Sequence, residues 1–130
     1  MSNEHELANM EEMTGGIRTV SDKTMKDLQA EVDDYIGQFK EGYFSPLAMM
    51  ARLTEELGEL AREVNHYYGE KPKKTTENDK SMEEEMGDVL FVLICLANSL
   101  DISLEEAHNR VMHKFNTRDK DRWTRKEEGK

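Results

Sequence analysis

Apolar residues recur at the spacing of amphipathic helices through four segments of the chain. No segment alternates as a half-buried strand would, and no internal repeat is visible. A serine or aspartate suited to capping a helix opens each segment, and glycine follows the first two. The pattern therefore predicts an all-α protein with helices over about 21–40, 46–68, 82–100 and 104–118. Mostly short connections between these helices favour a four-helix bundle.

The apolar positions also predict which face of each helix is buried. The first helix has an apolar column formed by Met25, Leu28, Val32, Ile36 and Phe39. The stripe of the second consists of Leu47, Met50, Leu53, Leu57, Leu60 and Val64. In the fourth, the inward positions are Leu104, Ala107, Val111 and Phe115. The run 89–97 on the third is apolar all round, more than one small bundle can cover, so we expect a homodimer or homotetramer.

Length and charge limit the classes of function that the chain can have. The chain has 130 residues, enough for one helical domain with its own core, which we place at 21–125. We expect a flexible extension at 1–20 and a charged tail at 126–130, because both stretches are polar. The formal net charge of -10 argues against nucleic-acid binding. It does not argue against nucleotides, because divalent cations can bridge acidic protein and phosphate.

The chain shows no targeting or membrane signal. Its first residues lack the apolar stretch of a signal peptide, and its longest apolar run is too short to span a bilayer. Cys95 is the only cysteine, and its place in that run predicts a buried thiol. We therefore expect a cytoplasmic protein with no membrane partner.

Two acidic signatures lie on the second and third predicted helices. Glu56 and Glu59 are three residues apart in the first signature, as are Glu85 and Asp88 in the second. Residues at this spacing lie on neighbouring turns of one helix face, so each pair can share a cation. Hard divalent cations prefer oxygen ligands, and Mg²⁺ often shares its coordination with substrate phosphates. The four carboxylates therefore predict a Mg²⁺ site, with Mn²⁺ as a substitute.

Glu85 gives the strongest indication of function. It shares a helical column with Val92 and Leu96, which predicts that its carboxylate is partly buried. An ionised carboxylate out of water is costly unless it is paired, hydrogen-bonded or bound to metal, and this helix contains no lysine or arginine. Glu83 and Glu84 are interpreted as solvated charges. For the pair on the second helix, the helical phase leaves burial open.

These signatures resemble those of the MazG-type nucleotide pyrophosphohydrolases, in the all-α NTP pyrophosphatase superfamily. The resemblance lies in Glu55-Glu56-x-x-Glu59 followed by Glu85-x-x-Asp88, and it extends over roughly 24–125. It implies hydrolysis of a nucleoside triphosphate to the monophosphate and pyrophosphate. By the same resemblance, the Mg²⁺ ligands are Glu56, Glu59, Glu85 and Asp88. Glu55 would be a second catalytic carboxylate beside Glu56, orienting a ligand or positioning water.

Two cations and two possible base-binding residues complete the predicted site. Lys114 and Arg118 flank the apolar stripe of the fourth helix, and they match a Lys-Phe-x-x-Arg element that some family members place near the triphosphate. They are our candidates for phosphate binding, although ordinary surface charge explains them equally well. Gln29 and Trp123 are candidates for contacting the base.

Three alternatives remain open from the sequence. Related families act on dUTP, dCTP or phosphoribosyl-ATP. A different enzyme class is suggested by two Glu-x-x-His motifs, Glu63 with His66 and Glu105 with His108, because this spacing occurs in di-iron carboxylate bundles. The set is incomplete, since Glu85 could serve on the third helix but no glutamate faces the core on the first. The third alternative is a non-catalytic interaction module whose acidic faces are only solvated.

Overall fold

Four α-helices account for most of the residues that the computed structural model describes, which are 22–69 and 81–127. They are α1 (Met25–Ile36), α2 (Pro46–Tyr68), α3 (Met82–Ser99) and α4 (Leu104–Thr117). No strand occurs within these two ranges, so the all-α prediction is confirmed. The predicted extension at 1–20, the loop at 70–80 and the last three residues of the tail lie outside the described residues.

Side-chain caps set where the helices begin. The hydroxyl oxygens of three serines each accept a hydrogen bond from a first-turn backbone N–H, as predicted for Ser45, Ser81 and Ser103. α1 begins later than predicted, because Thr24 accepts from the N–H of Asp27 while the Asp27 carboxylate accepts from the N–H of Thr24. This reciprocal pair satisfies two N–H groups that the helix itself leaves without acceptors.

α1 also ends earlier than predicted. Its last residue is Ile36, and the chain then passes through turns instead of continuing to Lys40. Gly37 is the C-cap, and its N–H donates to the carbonyl of Asp33. Gly42, predicted to end the helix, lies in the following turn with φ of 62°, a left-handed conformation that favours glycine. The apolar period continues past Ile36, but the helical conformation of the backbone ends there.

The core lies where α1, α2 and α3 meet. α2 and α3 pack along each other as an antiparallel hairpin, and α1 packs across α3. The buried apolar cluster consists of Val32, Met49, Ile94 and Cys95, with Leu28, Ile36, Tyr43, Leu96 and Leu104 packed around it. Cys95 is a buried free thiol, as predicted. The hairpin is the frame on which the acidic residues are placed.

α2 buries a different face from the one that the apolar stripe predicted. Its buried residues are Met49, Glu56 and Glu63, spaced by two turns. Leu53 and Leu60 of the predicted stripe are half-buried, but its other four residues are exposed: 82% for Leu47, 55% for Leu57, 46% for Met50 and 40% for Val64. The face against α3 therefore lies about one residue, or roughly 100°, around the helix from the expected one. A sequence period records that a helix has an apolar face, but not which neighbour covers it.

α4 turns away from the other three helices. Its axis is bent by 102° from that of α3, and it packs mainly against α1. Leu104 reaches the core, but no residue of α4 is buried, and Val111 and Phe115, predicted to face inward, are exposed. Within one chain the bundle therefore comprises three helices. The predicted fourth member diverges because the turn at 100–103 redirects the chain.

α3 is the most apolar helix, as predicted, yet only part of its surface is covered. It buries Val92, Ile94, Cys95 and Ala97, while Met86 is 55% exposed. Within the described residues, no single helix has the length and apolar character needed to cross a membrane. α3 and α4 pass that test only as a pair, and the pair is sharply bent.

The difference between the predicted and observed faces of α2 can be tested by two alanine substitutions on the same helix. Met49→Ala should lower the free energy of unfolding by about 2–4 kcal/mol, because it leaves a cavity in the core. Leu47→Ala should change it by less than about 0.5 kcal/mol, because Leu47 projects into solvent. Urea unfolding at one fixed protein concentration measures both values. Equal losses would contradict the observed orientation of α2.

Candidate metal centre

Three carboxylates converge between α2 and α3. One oxygen atom from each of Glu56, Glu59 and Glu85 lies within 4.8 Å of the other two. Helical spacing places the first two on adjacent turns of α2, and the antiparallel hairpin brings the first turn of α3 beside them. Among the described residues, this is the one group of three acidic, histidine or cysteine side chains close enough to share a metal ion.

The three carboxylates differ in burial. Glu85 is 3% exposed and Glu56 is 8% exposed, whereas Glu59 lies at the solvent side. The burial of Glu85 agrees with the column argument from the sequence. Oε1 of Glu56 accepts a hydrogen bond from Nε of Arg52 at 3.3 Å, and Oε2 has no hydrogen-bond partner among the described residues. Buried anionic oxygens converging in this way fit a divalent cation, which would compensate their lost hydration.

Two other predicted residues flank this group without joining it. Asp88 lies one turn after Glu85 and is half-buried, and Glu55 is exposed beside Glu56. Neither belongs to the group of three mutually close oxygens. Their predicted roles, as a fourth ligand and as a second catalytic carboxylate, stay predictions.

Lys114 and Arg118 are exposed near the end of α4 and make local contacts. The Lys114 ammonium lies 5.3 Å from the centre of the Phe115 ring, and the Arg118 guanidinium donates two hydrogen bonds to Asp119, at 3.2 and 3.3 Å. Along α3, about 20 Å separate Glu85 from the start of α4, and α4 then runs roughly across that direction. Neither cation belongs to the group of close metal-binding side chains, and their predicted role in phosphate binding stays a prediction.

The sequence and the fold of this chain match known proteins. Residues 44–123 match the sequence profile of the MazG nucleotide pyrophosphohydrolase domain. The chain belongs to the MazG nucleotide pyrophosphohydrolase family. It is 92% identical over 111 residues to YpjD of Bacillus subtilis (strain 168), covering 85% of this chain and 100% of that protein. It is 31% identical over 99 residues to YvdC of the same organism, covering 68% and 93% of the two chains.

Two crystal structures are similar to this MazG-family chain. YPJD from Bacillus subtilis has 91% sequence identity and a TM-score of 0.69, over 75% of this chain and 100% of the other. The Bacillus-conserved MazG protein, a nucleotide pyrophosphohydrolase, has 74% identity and a TM-score of 0.67, over 78% and 99%. The chain is therefore a hydrolase with a MazG-like fold, and the family resemblance inferred from its two acidic signatures is confirmed.

The di-iron alternative finds no support in the arrangement of the histidines. His66 is buried with its Nδ1 3.8 Å from Oε1 of Glu63, but neither residue belongs to a group of three metal-binding side chains within the described ranges. His108 is exposed on the diverging α4, as is Glu105. The two Glu-x-x-His motifs therefore do not form a shared metal site within this chain.

The side-chain amide of Gln29, a candidate for contacting the base, makes three hydrogen bonds within the fold. Its Nε2 donates to Oδ1 of Asn98 and to the carbonyl of Ile102, both at 2.9 Å, and its Oε1 accepts from the N–H of Leu104 at 2.9 Å. This amide joins α1 to the end of α3 and the start of α4. Both N–H groups of this amide are used, which leaves the second lone pair of Oε1 for a base, and the suggested role stays a prediction. Trp123 is 77% exposed, and its role stays a prediction.

Burial and hydrogen bonding keep two further groups protonated near the core. Burial and the hydrogen bond to Asp33 raise the pKa of Tyr43 to about 12, and its hydroxyl donates to Oδ1 of Asp33 at 2.8 Å. Burial also raises the pKa of the Cys95 thiol, against an opposing effect of the Arg52 charge. Cys95 is therefore a packed thiol and not a nucleophile.

The sequence analysis did not identify Arg52 as a residue of this site, and it did not predict that Glu63 is buried. Arg52 lies one turn before Glu56 and contacts its carboxylate, a spacing visible in the sequence as an Arg-x-x-x-Glu pair. The column of Met49, Glu56 and Glu63, two turns apart on α2, could have indicated the buried face had α3 been known to lie against it. The apolar stripe beside this column has more apolar residues, and it therefore predicted a different buried face for α2.

Proposed function

We propose that this protein hydrolyses nucleoside triphosphates to the nucleoside monophosphate and pyrophosphate in a Mg²⁺-dependent reaction. The observation that carries the proposal is the convergence of Glu56, Glu59 and Glu85 within 4.8 Å, with two of the three buried. The family supports a nucleotide pyrophosphohydrolase. The geometry supports a cation held by oxygen ligands.

Each carboxylate of the site has a proposed role in metal binding or in catalysis. Glu56, Glu59 and Glu85 would hold Mg²⁺, with Asp88 as the predicted fourth ligand and Mn²⁺ as a possible replacement for the metal. A bound divalent ion supplies a Lewis acid for the phosphate oxygens and lowers the pKa of coordinated water. Glu55, exposed beside Glu56, would position the attacking water or orient a ligand. Burial of the hairpin carboxylates fixes their geometry before substrate arrives.

Burial also separates this proposal from the interaction-module alternative. A merely solvated acidic face would not place Glu85 at 3% exposure, because an ionised carboxylate loses its hydration there. The choice among a general triphosphate, dUTP, dCTP and phosphoribosyl-ATP depends on the base and sugar contacts. A cytoplasmic location suits any of these substrates and remains our prediction.

Two neighbouring glutamates on α3 test the proposal. Glu85→Gln should lower Mg²⁺-dependent pyrophosphate release by about a hundredfold or more, because it removes a buried metal ligand. Glu84→Gln removes the same charge from an exposed position and should stay within about twofold. Both variants would be assayed with a panel of nucleotides, with Mg²⁺ and with EDTA. Release that persists in EDTA, or equal losses in both variants, would refute the metal-dependent reaction.

We further propose that the protein is a homo-oligomer, a homodimer or a homotetramer. Met50, Leu57 and Val64 recur two turns apart on α2 and are each at least 40% exposed. The last two also line an apolar groove of about 500 Å³, together with Leu60, Ala61 and Tyr68. Apolar residues at a seven-residue repeat are the pattern by which one helix packs against another. A second copy of the chain, with the same face, would cover this surface.

Introducing an acid on this face should separate the subunits. Leu57→Glu places a charge in the proposed interface, so the mass in solution should fall to that of a single chain. Ala51→Glu adds the same charge about 120° around α2 and should leave the mass unchanged. Light scattering coupled to size-exclusion chromatography measures both. A wild-type protein that already has the mass of one chain would contradict the proposal.

The divergence of α4 suggests how Lys114 and Arg118 could bind phosphate. About 20 Å of α3 separate Glu85 from the turn into α4, and α4 then diverges, so an approach from a neighbouring subunit is the more direct route to the metal site. We propose that α4 of one subunit brings these cations to nucleotide held by the carboxylates of another. Trp123, which lines a groove with Phe115 beyond the end of α4, would approach the same nucleotide.

Mixing two inactive proteins tests this shared site. Glu85→Gln lacks a metal ligand, and the double variant Lys114→Ala/Arg118→Ala lacks the phosphate-binding cations. Mixed oligomers contain some sites with both sets intact, so activity should return to about a quarter of wild type after unfolding and refolding together. Each variant refolded alone is the control. If mixing restores nothing although mixed oligomers form, the cations do not act across the interface.

A further inference from the structure

Arg52 is a positively charged side chain in contact with the carboxylate cluster. It lies one turn before Glu56 on α2, and its Nε donates to Oε1 of Glu56 at 3.3 Å. α3 has no lysine or arginine from Met82 to Asn98. Arg62, the other arginine of α2, is about 120° around the helix from Glu56 and is exposed. Within the described part of α2 and α3, Arg52 is thus the cation that contacts Glu56.

The contact between Arg52 and Glu56 has the features of an exchangeable ion pair. The Arg52 side chain is 59% exposed, while that of Glu56 is 11% exposed. The pair uses one hydrogen bond of 3.3 Å, longer than about 2.8 Å for a strong charge-assisted bond, and it is not bidentate. A partly exposed single contact of this kind is weak and opens at little cost. The carboxylate is fixed by burial, and the guanidinium can move.

The position of Arg52 sets up a competition for Glu56. A metal bound by Glu56, Glu59 and Glu85 would lie within a few ångströms of the guanidinium, and two cations so close repel each other. The metal gains three carboxylates, whereas Arg52 gains one hydrogen bond. Metal binding should therefore displace Arg52 from Glu56.

We propose that Arg52 is a positioning residue that couples metal binding to substrate binding. Without metal it neutralises Glu56, and when metal takes that carboxylate the guanidinium turns to an oxygen of the substrate's phosphate chain. This inference rests on the proposed nucleotide substrate. Arginine suits the second role because its planar set of N–H donors matches phosphate oxygens.

The surroundings of Arg52 leave it room to move. It lines a small cavity of about 80 Å³, whose walls include Tyr43, Phe91 and Cys95. The cavity lies beside the apolar core, so the aliphatic part of Arg52 can stay packed while the guanidinium turns outward. Released in this way, it stays adjacent to the metal site, where a metal-bound phosphate chain would be.

The first experiment measures metal binding without nucleotide. Mn²⁺ would be titrated into the full-length protein and into Arg52→Gln, with free Mn²⁺ followed by electron paramagnetic resonance. Arg52→Gln should bind Mn²⁺ about three- to tenfold more tightly, because the competing cation is gone. Arg62→Gln removes the same charge from the same helix and should stay within about twofold of wild type. Circular dichroism and thermal unfolding show whether each variant is folded.

The second experiment adds the phosphate chain. The Mn²⁺ complex of inorganic tripolyphosphate should bind Arg52→Gln about five- to tenfold more weakly than wild type, because a phosphate contact is lost. Arg52→Lys keeps the charge without the planar donors, so its affinity for this complex should lie between those of wild type and Arg52→Gln. In pyrophosphate release, Arg52→Gln should raise KM more than it lowers kcat.

The outcomes distinguish this inference from the proposed function. Mn²⁺ affinity that is unchanged or weaker in Arg52→Gln would overturn it, since Arg52 would then merely hold Glu56 in place. Tighter Mn²⁺ binding without weaker tripolyphosphate binding would refute the coupling to phosphate. A wild-type protein that releases no pyrophosphate from any nucleotide would refute the proposed function, whatever the Mn²⁺ titrations show.

Discussion

The placement of carboxylates inside a helix–helix contact is the constraint on which the rest of this structure depends. Glu56 and Glu85 occupy positions between α2 and α3 that an ordinary bundle would give to leucine or valine. Burying such groups costs free energy that apolar residues would not cost. The hairpin tolerates them because they converge, so one divalent cation can compensate several charges at once. Arg52 compensates part of the charge when the cation is absent.

This constraint helps to explain why so little apolar surface is buried within one chain. The face of α2 against α3 carries Glu56 and Glu63 beside Met49, so the apolar stripe of the helix has to find cover elsewhere. α3 likewise leaves Met86 and neighbouring apolar side chains exposed, and α4 projects with Phe115 uncovered. In the proposed oligomer, assembly and the metal site would be linked, because a second copy would cover the apolar surfaces that the carboxylate cluster leaves exposed.

The sequence alone predicted where three helices begin, the burial of Glu85 and the family resemblance. Ser45, Ser81 and Ser103 set three helix starts by local hydrogen bonds, which depend on a few neighbouring residues and on no tertiary contact. The column that Glu85 shares with Val92 predicted its burial, because residues in one column of a helix face the same neighbour. The two acidic signatures resemble those of the MazG family, and the match of residues 44–123 to the family's domain confirms that resemblance.

Other features were decided only by the tertiary structure. Which face of α2 meets α3 depends on their mutual packing, and the apolar stripe was a misleading guide because a helix can keep an apolar face for another chain. The turn of 102° before α4 separates Lys114 from Glu85, although both lie on helices with clear patterns. The amide of Gln29 joins three segments through partners 69 to 75 positions away in the chain, contacts that no local pattern indicates. Sequence determined the helices and the chemistry they carry, because both are local; packing decided what each helix faces, because that depends on residues far apart in the chain.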